Sequence, residues 1–171
     1  MKYNNLSIFL RYIILLISLF LTSIIYRIFT PLTIYPSLII IKLFFTQTTL
    51  IQNTIIINQQ TLIEIIPACI AASAYLLLLV LNLSIPLKPI KRLYSLSLSI
   101  ILLLMLNILR ISTLSVLAYN NVPYFDITHK LFWYLGSTIF VIGIWFLTIK
   151  IFNIKTIPFY TDIKYLLKNI R

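Results

Sequence analysis

The sequence predicts an all-α polytopic membrane protein with about four transmembrane helices, or five, and a short extracytoplasmic β-like hairpin before the second main helix. Two observations carry this prediction: 61% of the 171 residues are hydrophobic and only 10% are charged. A typical soluble domain has roughly a quarter of its residues charged. A soluble fold of this length could not bury so much apolar surface, whereas lipid solvates it. Because each membrane-spanning helix takes about 20 residues, we expect no separate soluble domain.

The first span is predicted at Ile8–Ile28, and its apolar run is too long for a cleaved signal peptide, so we expect it to be retained. Pro31 and Pro36 are expected to break any continuous helix after it. The apolar stretch Ser37–Phe45 would then form an interfacial or re-entrant segment or, alternatively, a fifth span.

The stretch Thr46–Ile66 has a different character, because it is rich in Thr and Ile and is interrupted by Asn and Gln. β-Branched residues between polar turns are typical of short strands, and a hairpin is predicted over Thr54–Ile66. An exposed hairpin cannot lie in hydrocarbon, so we expect it outside the bilayer, packed against helix ends. The remaining spans are predicted at Pro67–Ile85, Leu93–Tyr119 and Leu131–Phe152, with a loop over Asn120–Lys130.

The formal net charge of +11 does not indicate a nucleic-acid partner. The basic residues fall at the ends of apolar stretches, as topology signals do, and not on one soluble face. With a cytoplasmic N-terminus and four spans, ten of the fourteen basic residues lie on the inner side. These ten are Lys2, Arg11, Lys88, Lys91, Arg92 and the tail residues Lys150, Lys155, Lys164, Lys168 and Arg171.

Three chemically distinctive residues are expected to reach one membrane depth at the outer face. Cys69, the single cysteine, lies in the first turn of the second predicted span. Arg110 lies near the end of the third span, since the seventeen residues after Leu93 rise roughly 26 Å, close to the hydrocarbon thickness. His129, the single histidine, directly precedes the fourth span.

These residue types form a coherent nucleophilic set. The thiolate of a cysteine is the nucleophile, and a helix N-terminus or a neighbouring cation favours the thiolate form. A histidine can act first as the base and then as the acid that protonates a leaving group. An arginine can hold a thiolate, a substrate carbonyl or an anionic acceptor. Asn107, one helical turn before Arg110, could orient Arg110 or donate to an oxyanion.

Each residue also has an ordinary structural interpretation. A single Cys in a membrane helix is usually a small apolar filler, and a His at the start of a span is usually solvated. Arg110 could extend from the helix end to the lipid headgroups. However, an arginine within an apolar span is costly and usually marks a function.

Three segments together resemble the exosortase/archaeosortase family of membrane cysteine transpeptidases. They are IEIIPACIAASAYLLLLVL around Cys69, LLMLNILRIST around Arg110 and THKLFWYLGS around His129. The family places its nucleophilic Cys after a β-like stretch at the start of a membrane helix, an Arg at the end of the next helix, and a His or Arg where the last helix opens. A Gly commonly follows, which Gly136 matches. The resemblance covers roughly Thr54–Phe152, and the short chain fits the archaeal branch.

The sequence departs from the family pattern beside the cysteine. The family usually has a small polar residue and then Gly after the Cys, where this chain has Ile70 and Ala71. An acidic residue often accompanies the Cys or the His. Here Glu64 precedes Cys69 by five residues and Lys130 follows His129. The three main assignments are unaffected, but the departures bear on the backbone geometry and on the oxyanion donors.

The resemblance implies a multi-pass plasma-membrane enzyme, with its active site at the extracytoplasmic face, that cleaves C-terminal sorting signals of exported proteins. It implies Cys69 as nucleophile, Arg110 as stabiliser of the thiolate or transition state, and His129 as acid and base, with Asn107 in support. The thioester formed would be resolved by a lipid acceptor or by water. One membrane domain over residues 1–171 would then divide into an N-terminal span and interfacial segment (1–53), a catalytic core (54–152) and a basic cytoplasmic tail (153–171).

Two other functions remain open from the sequence. The protein could be a small transporter or channel subunit in which Arg110 binds an anion, although polar residues at one face, and not at the midplane, argue against this. It could also be an assembly subunit, and both alternatives predict that loss of the Cys69 thiol is tolerated. We expect no cofactor and no metal, because a single His and a single Cys make no metal cage and two glycines make no phosphate-binding loop.

Overall fold

The computed structural model describes Phe9, Ile13, Leu16 and residues 20–154 other than Pro86. The tail residues after 154 and most of the predicted first span before residue 20 lie outside this description. In chain order the elements are α1 (Thr22–Phe44), β1 (Thr48–Ile51), β2 (Thr54–Ile57), β3 (Thr61–Glu64), α2 (Pro67–Ile70), α3 (Ala72–Leu83), α4 (Pro89–Tyr119), α5 (Phe125–Leu131), a π-helical turn (Phe132–Gly136) and α6 (Ser137–Ile151).

Three helices of the described chain are long and apolar enough to cross a membrane: Thr22–Phe44, Pro89–Tyr119 and the continuous run Phe125–Ile151. A shorter apolar helical stretch covers Pro67–Leu83. The long helices have much of their apolar surface exposed, as expected when lipid and not protein solvates it. The architecture is therefore compatible with a helical membrane protein that carries one small sheet.

The prediction that Pro31 and Pro36 interrupt the first helix is wrong, because α1 continues through both of them. Ser37–Phe45 is accordingly not a separate interfacial segment or span, since it coincides almost entirely with the last third of α1. A proline removes one backbone donor, but helices in apolar surroundings tolerate this when neighbouring groups satisfy the freed carbonyls. The hydroxyl of Thr30 donates to the carbonyl of Tyr26 at 2.7 Å, one residue before the Arg27 carbonyl that Pro31 leaves without its helical donor.

The predicted hairpin over Thr54–Ile66 is confirmed and belongs to a larger sheet. β2 and β3 pair antiparallel, and β1 adds a third antiparallel strand, in the order β1-β2-β3. The polar breaks form the turns: Gln52 follows β1, while Asn58 and Gln59 connect β2 to β3, and all three have positive φ. Asn is among the residues that adopt this left-handed conformation most readily.

The sheet packs on one end of the helices, as the sequence predicts. Ile55 and Ile57 of β2, and Ile65 directly after β3, share a buried core with Ile34 and Ile41 of α1. Ile70 and Ile111 complete the same core from α2 and α4. In addition, the Asn58 side-chain amide donates to the Tyr119 hydroxyl at 2.8 Å, which fastens the β2–β3 turn to the end of α4.

The helices on either side of α4 run opposite to it. At the end far from the sheet, the Asn82 amide of α3 donates to the Ser95 hydroxyl at 2.6 Å. The hydroxyls of Ser99 in α4 and Thr148 in α6 are 3.0 Å apart there. Four helix termini therefore lie at the end of the molecule that carries the sheet, which we call the sheet end. They are the end of α1, the start of α3, the end of α4 and the start of the α5–α6 helix.

The helix predicted over Pro67–Ile85 is interrupted at Ala71, so the prediction of one unbroken helix there is wrong. α2 ends after four residues, and Ala71 then adopts a left-handed conformation with φ 58° before α3 begins. A side chain with a Cβ is strained in this region, by about 1–2 kcal/mol for an ordinary residue.

We expect Ala71→Gly to stabilise the fold by about 1 kcal/mol, because glycine adopts positive φ without steric cost. Thermal unfolding in detergent micelles, followed by circular dichroism, measures the effect. Ala72→Gly is the matched control, since it deletes the same methyl group from a residue in the helix that follows and should not raise stability. Equal losses in both variants would contradict the strain at Ala71.

Candidate active site

The three residues singled out by the sequence line one cavity at the sheet end of the molecule. Cys69 comes from α2, Arg110 from α4 and His129 from α5, and all three border a space of about 270 Å³. They also share a narrow adjoining pocket of about 20 Å³. The structure thus brings together side chains that are 41 and 19 residues apart in sequence (69 to 110 and 110 to 129).

The cavity walls are largely apolar. β3 and the residues after it form one side, and α4 and α5 form the other. Glu64 is the one carboxylate among the residues that line this space. Arg110 and Glu64, which have opposite charges, are thus the charged residues that border this space together with Cys69.

Arg110 is buried, with 8% of its surface exposed. Its Nη2 donates to the main-chain carbonyl of Cys69 at 3.2 Å, and its Nη1 donates to the Ser137 hydroxyl at 3.0 Å. Its buried Nε has no hydrogen-bond partner within the described chain. No ion pair joins the guanidinium to a carboxylate among the described residues, so its positive charge is not neutralised there.

Asn107 faces the same way as Arg110, as the sequence predicts, but it contacts a different group from either predicted one. Its side-chain amide donates to the Cys69 carbonyl at 3.0 Å and more weakly to the Ile70 carbonyl at 3.4 Å. Only 2% of the Asn107 surface is exposed, so these are buried hydrogen bonds to the main chain of α2. It fixes the backbone that carries the thiol and does not bond to the guanidinium.

Cys69 is a partly exposed free thiol in a very short helix. Its backbone N–H donates to the Ile66 carbonyl at 2.9 Å, so that N–H is engaged within the chain. Since α2 has four residues and ends at Ile70, it cannot supply the aligned dipoles of the long helix that the sequence predicts. Arg110 is the positively charged side chain that borders the same cavity as the thiol.

His129 lies in a helix and not in the predicted loop, because α5 begins at Phe125. Its imidazole is half-buried and stacks on Phe125, with ring centroids 5.7 Å apart and an interplanar angle of 21°. The centroid of the Trp133 ring lies 6.1 Å from that of the imidazole, at an interplanar angle of 30°. These two aromatic rings restrict the orientation of the imidazole at the cavity wall.

Ser137 is a site residue that the sequence analysis missed. It follows a π-helical turn, which holds more residues per turn than an α-helix. Residues four apart therefore stay on one face of the helix, and this face carries His129, Trp133 and Ser137. Gly136 lies in this turn, and a Cβ there would come within 3.3 Å of Phe132 Cδ1. A serine after a glycine in an apolar run carries no signal of this role, because a π-turn has no sequence pattern.

Comparison with known proteins identifies no relative: no family model matches the chain, and no curated protein or solved structure is significantly similar to it. The resemblance to the exosortase/archaeosortase family therefore stays a prediction from the quoted segments. The structure places Cys69, Arg110 and His129 in the wall of one cavity.

We expect Ser137→Ala to destabilise the protein by about 1–3 kcal/mol, because it leaves a second nitrogen of a buried guanidinium without an acceptor. Thermal unfolding in detergent measures this. Ser112→Ala is the matched control, since the buried Ser112 hydroxyl has no partner in the described chain and its loss should be neutral or slightly stabilising. Equal unfolding temperatures for the two variants would show that the Arg110–Ser137 contact contributes nothing.

Proposed function

We propose that the protein is a membrane cysteine peptidase or transpeptidase that removes C-terminal sorting signals from exported proteins at the outer membrane face. One observation carries the proposal: a thiol, an unneutralised guanidinium and an imidazole, each from a separate segment, line the same cavity. A packing cysteine has no need of the other two groups. The substrate class follows from the resemblance of the three segments to exosortases and archaeosortases.

In the first half-reaction His129 accepts the proton of the Cys69 thiol, and the sulfur attacks the carbonyl carbon of the scissile peptide bond. The oxyanion that forms is stabilised by Arg110, of whose five N–H donors two are engaged in the hydrogen bonds described above. The protonated His129 then gives its proton to the departing amine. The C–N bond breaks, the signal helix leaves, and a thioester joins the substrate to Cys69.

In the second half-reaction an acceptor resolves the thioester. A lipid amine or hydroxyl, or a water molecule, loses its proton to His129 and attacks the thioester carbonyl. The C–S bond breaks, and the proton returns to the Cys69 sulfur. The free thiol is regenerated, so the cycle needs no oxidant, reductant or cofactor.

We also propose that the chain crosses the membrane four times, through α1, the shorter α2–α3 unit, α4 and the α5–α6 helix. Lys88, Lys91 and Arg92 lie at the start of α4, at the end opposite the cavity. The positive-inside rule then makes that end cytoplasmic and the cavity extracytoplasmic. A substrate whose helix ends in a basic cluster would insert beside these helices with the same orientation.

A transporter fits the polar residues less well. The buried Arg110 and Asn107 hold the backbone of α2 at one end of the molecule, whereas transport sites lie near the bilayer midplane. A transporter or an assembly subunit would also tolerate the loss of the Cys69 thiol.

In the native host we expect Cys69→Ala to abolish processing, so that exported proteins keep their C-terminal hydrophobic helices. The loss should exceed about 10³-fold, because the nucleophile itself is removed. Mass spectrometry of C-terminal peptides in the membrane fraction measures the unprocessed share. Ser112→Ala, which keeps the thiol, is the control and should process normally.

A further variant, Cys69→Ala with Ser73→Cys, moves the thiol to α3, at a residue that borders neither of the two spaces. We expect it to be inactive as well, since the thiol then leaves its place beside Arg110 and His129. Normal processing in Cys69→Ala would exclude the proposed function.

A further inference from the structure

One edge of the three-stranded sheet is open. β3 pairs with β2 on one side only, because the strand order is β1-β2-β3. Exposed strand edges are ready-made templates for pairing with another chain, and proteins commonly cover them. Among the described residues, no strand lies on the outer side of β3.

The hydrogen-bond pattern identifies the groups that the open edge presents. The Ile65 N–H donates to the Asn53 carbonyl. In the register of β2 and β3 this pair lies two residues from the pair Ile55 and Ile63, so both are hydrogen-bonded pairs. Residues of an antiparallel strand alternate between bonding to one neighbour and facing the other side. Ile63 and Ile65 therefore bond toward β2, while the N–H and C=O groups of Leu62 and Glu64 face the open edge.

The open edge is continuous with the catalytic cavity. All residues from Leu62 to Ile66 border the space that Cys69, Arg110 and His129 line. The Leu62 side chain is 70% exposed, so nothing in the described chain covers it. β3 leads into α2 within three residues, which aligns the strand with the thiol.

We infer that β3 binds the polypeptide substrate as an added fourth strand, with the residues on the N-terminal side of the scissile bond paired to the main chain of Leu62 and Glu64. This inference rests on the proposed function. The occupant is an extended peptide, because β-strand addition is a common mode of peptide recognition and uses main-chain groups of this kind.

The chain direction follows from the position of Cys69. β3 runs toward Cys69, and the N-terminal part of a substrate also runs toward its scissile bond, so the two strands are parallel. The part of the substrate after the scissile bond is the hydrophobic helix, which must enter the membrane. Only the preceding segment can therefore lie along the sheet.

Main-chain pairing predicts how side chains contribute to binding. The hydrogen bonds accept almost any sequence, while alternate substrate side chains point to opposite faces of the extended sheet. The pairing also holds the scissile carbonyl in register with the thiol, as a flexible segment would not.

The test uses the full chain in detergent micelles and two alkylating probes for Cys69. One probe is N-acetyl-pentaalanine chloromethyl ketone, which can pair as a strand, and the other is iodoacetamide, which cannot. Mass spectrometry follows the alkylation rate of Cys69 with each probe. In the native protein we expect methylation of a peptide nitrogen that pairs with β3 to slow the alkylation about tenfold. Methylation of the nitrogens in between, which face away from β3, should change the rate little.

Leu62→Pro tests the enzyme side of the same pairing. It removes an N–H that faces the open edge, a place where an edge strand tolerates proline. We expect the peptide probe to react about tenfold more slowly, while the iodoacetamide rate stays within about twofold of the native rate. Leu62→Ala is the matched control, because it removes the side chain and keeps the N–H.

Equal effects of methylation at every position would overturn the strand-addition proposal, as would a Leu62→Pro variant with an unchanged ratio of the two rates. A native protein whose peptide rate shows no gain over iodoacetamide would also overturn it. These failures are distinct from a failure of the proposed function, in which Cys69→Ala leaves processing in the host intact. If Leu62→Pro does not fold, the methylated probes on the native protein still decide.

Discussion

The main-chain carbonyl of Cys69 accepts hydrogen bonds from both Asn107 and Arg110, and the geometry of the site depends on this contact. α2 ends at Ile70, so the last carbonyls of this short helix lack partners within it. An unpaired carbonyl in an apolar environment costs several kcal/mol, about as much as a lost hydrogen bond in hydrocarbon. Two side chains of α4 satisfy these carbonyls, and in doing so they fix the thiol relative to α4.

The same contact explains how a guanidinium can be buried here without a carboxylate. Arg110 bonds to a carbonyl and a hydroxyl, both neutral, so its hydrogen bonds are partly satisfied while its charge is not cancelled. A neighbouring carboxylate would stabilise the arginine more, but it would also oppose a thiolate or an oxyanion in the cavity. The arrangement therefore combines a tolerable burial cost with a positive charge beside the cavity that Cys69 lines. The π-turn before Ser137 places the Ser137 hydroxyl on the same helix face as His129, where it accepts a hydrogen bond from Arg110.

Much of the site could be predicted from the sequence because membrane helices have a fixed rise and a limited length. Counting residues along the apolar runs brings Cys69, Arg110 and His129 to one end, and the structure brings them to one cavity. The hairpin followed from β-branched residues between polar turns. These inferences rest on the regular geometry of helices and strands, which depends on residues close together in the sequence.

The features that the sequence did not predict depend on contacts between distant segments. Pro31 and Pro36 read as helix breakers, yet packing in apolar surroundings sustains α1 through both. Ala71 carries no sign of a left-handed conformation, since alanine is the best helix former. The Ser137 contact depends on the π-turn, which only the three-dimensional structure reveals.

The central claim is that Cys69 is a nucleophile activated by Arg110 and His129 and open to the outer face. The most direct measurement is the rate at which a membrane-impermeant maleimide labels the single cysteine in intact cells. We predict rapid labelling of the native protein, with a rate about tenfold or more lower in Arg110→Gln, which keeps donors but loses the charge, and also lower in His129→Ala. Ser112→Ala should label at the native rate. Slow labelling that is the same in all four proteins, in cells and after detergent solubilisation, would contradict the account and identify Cys69 as a packing residue.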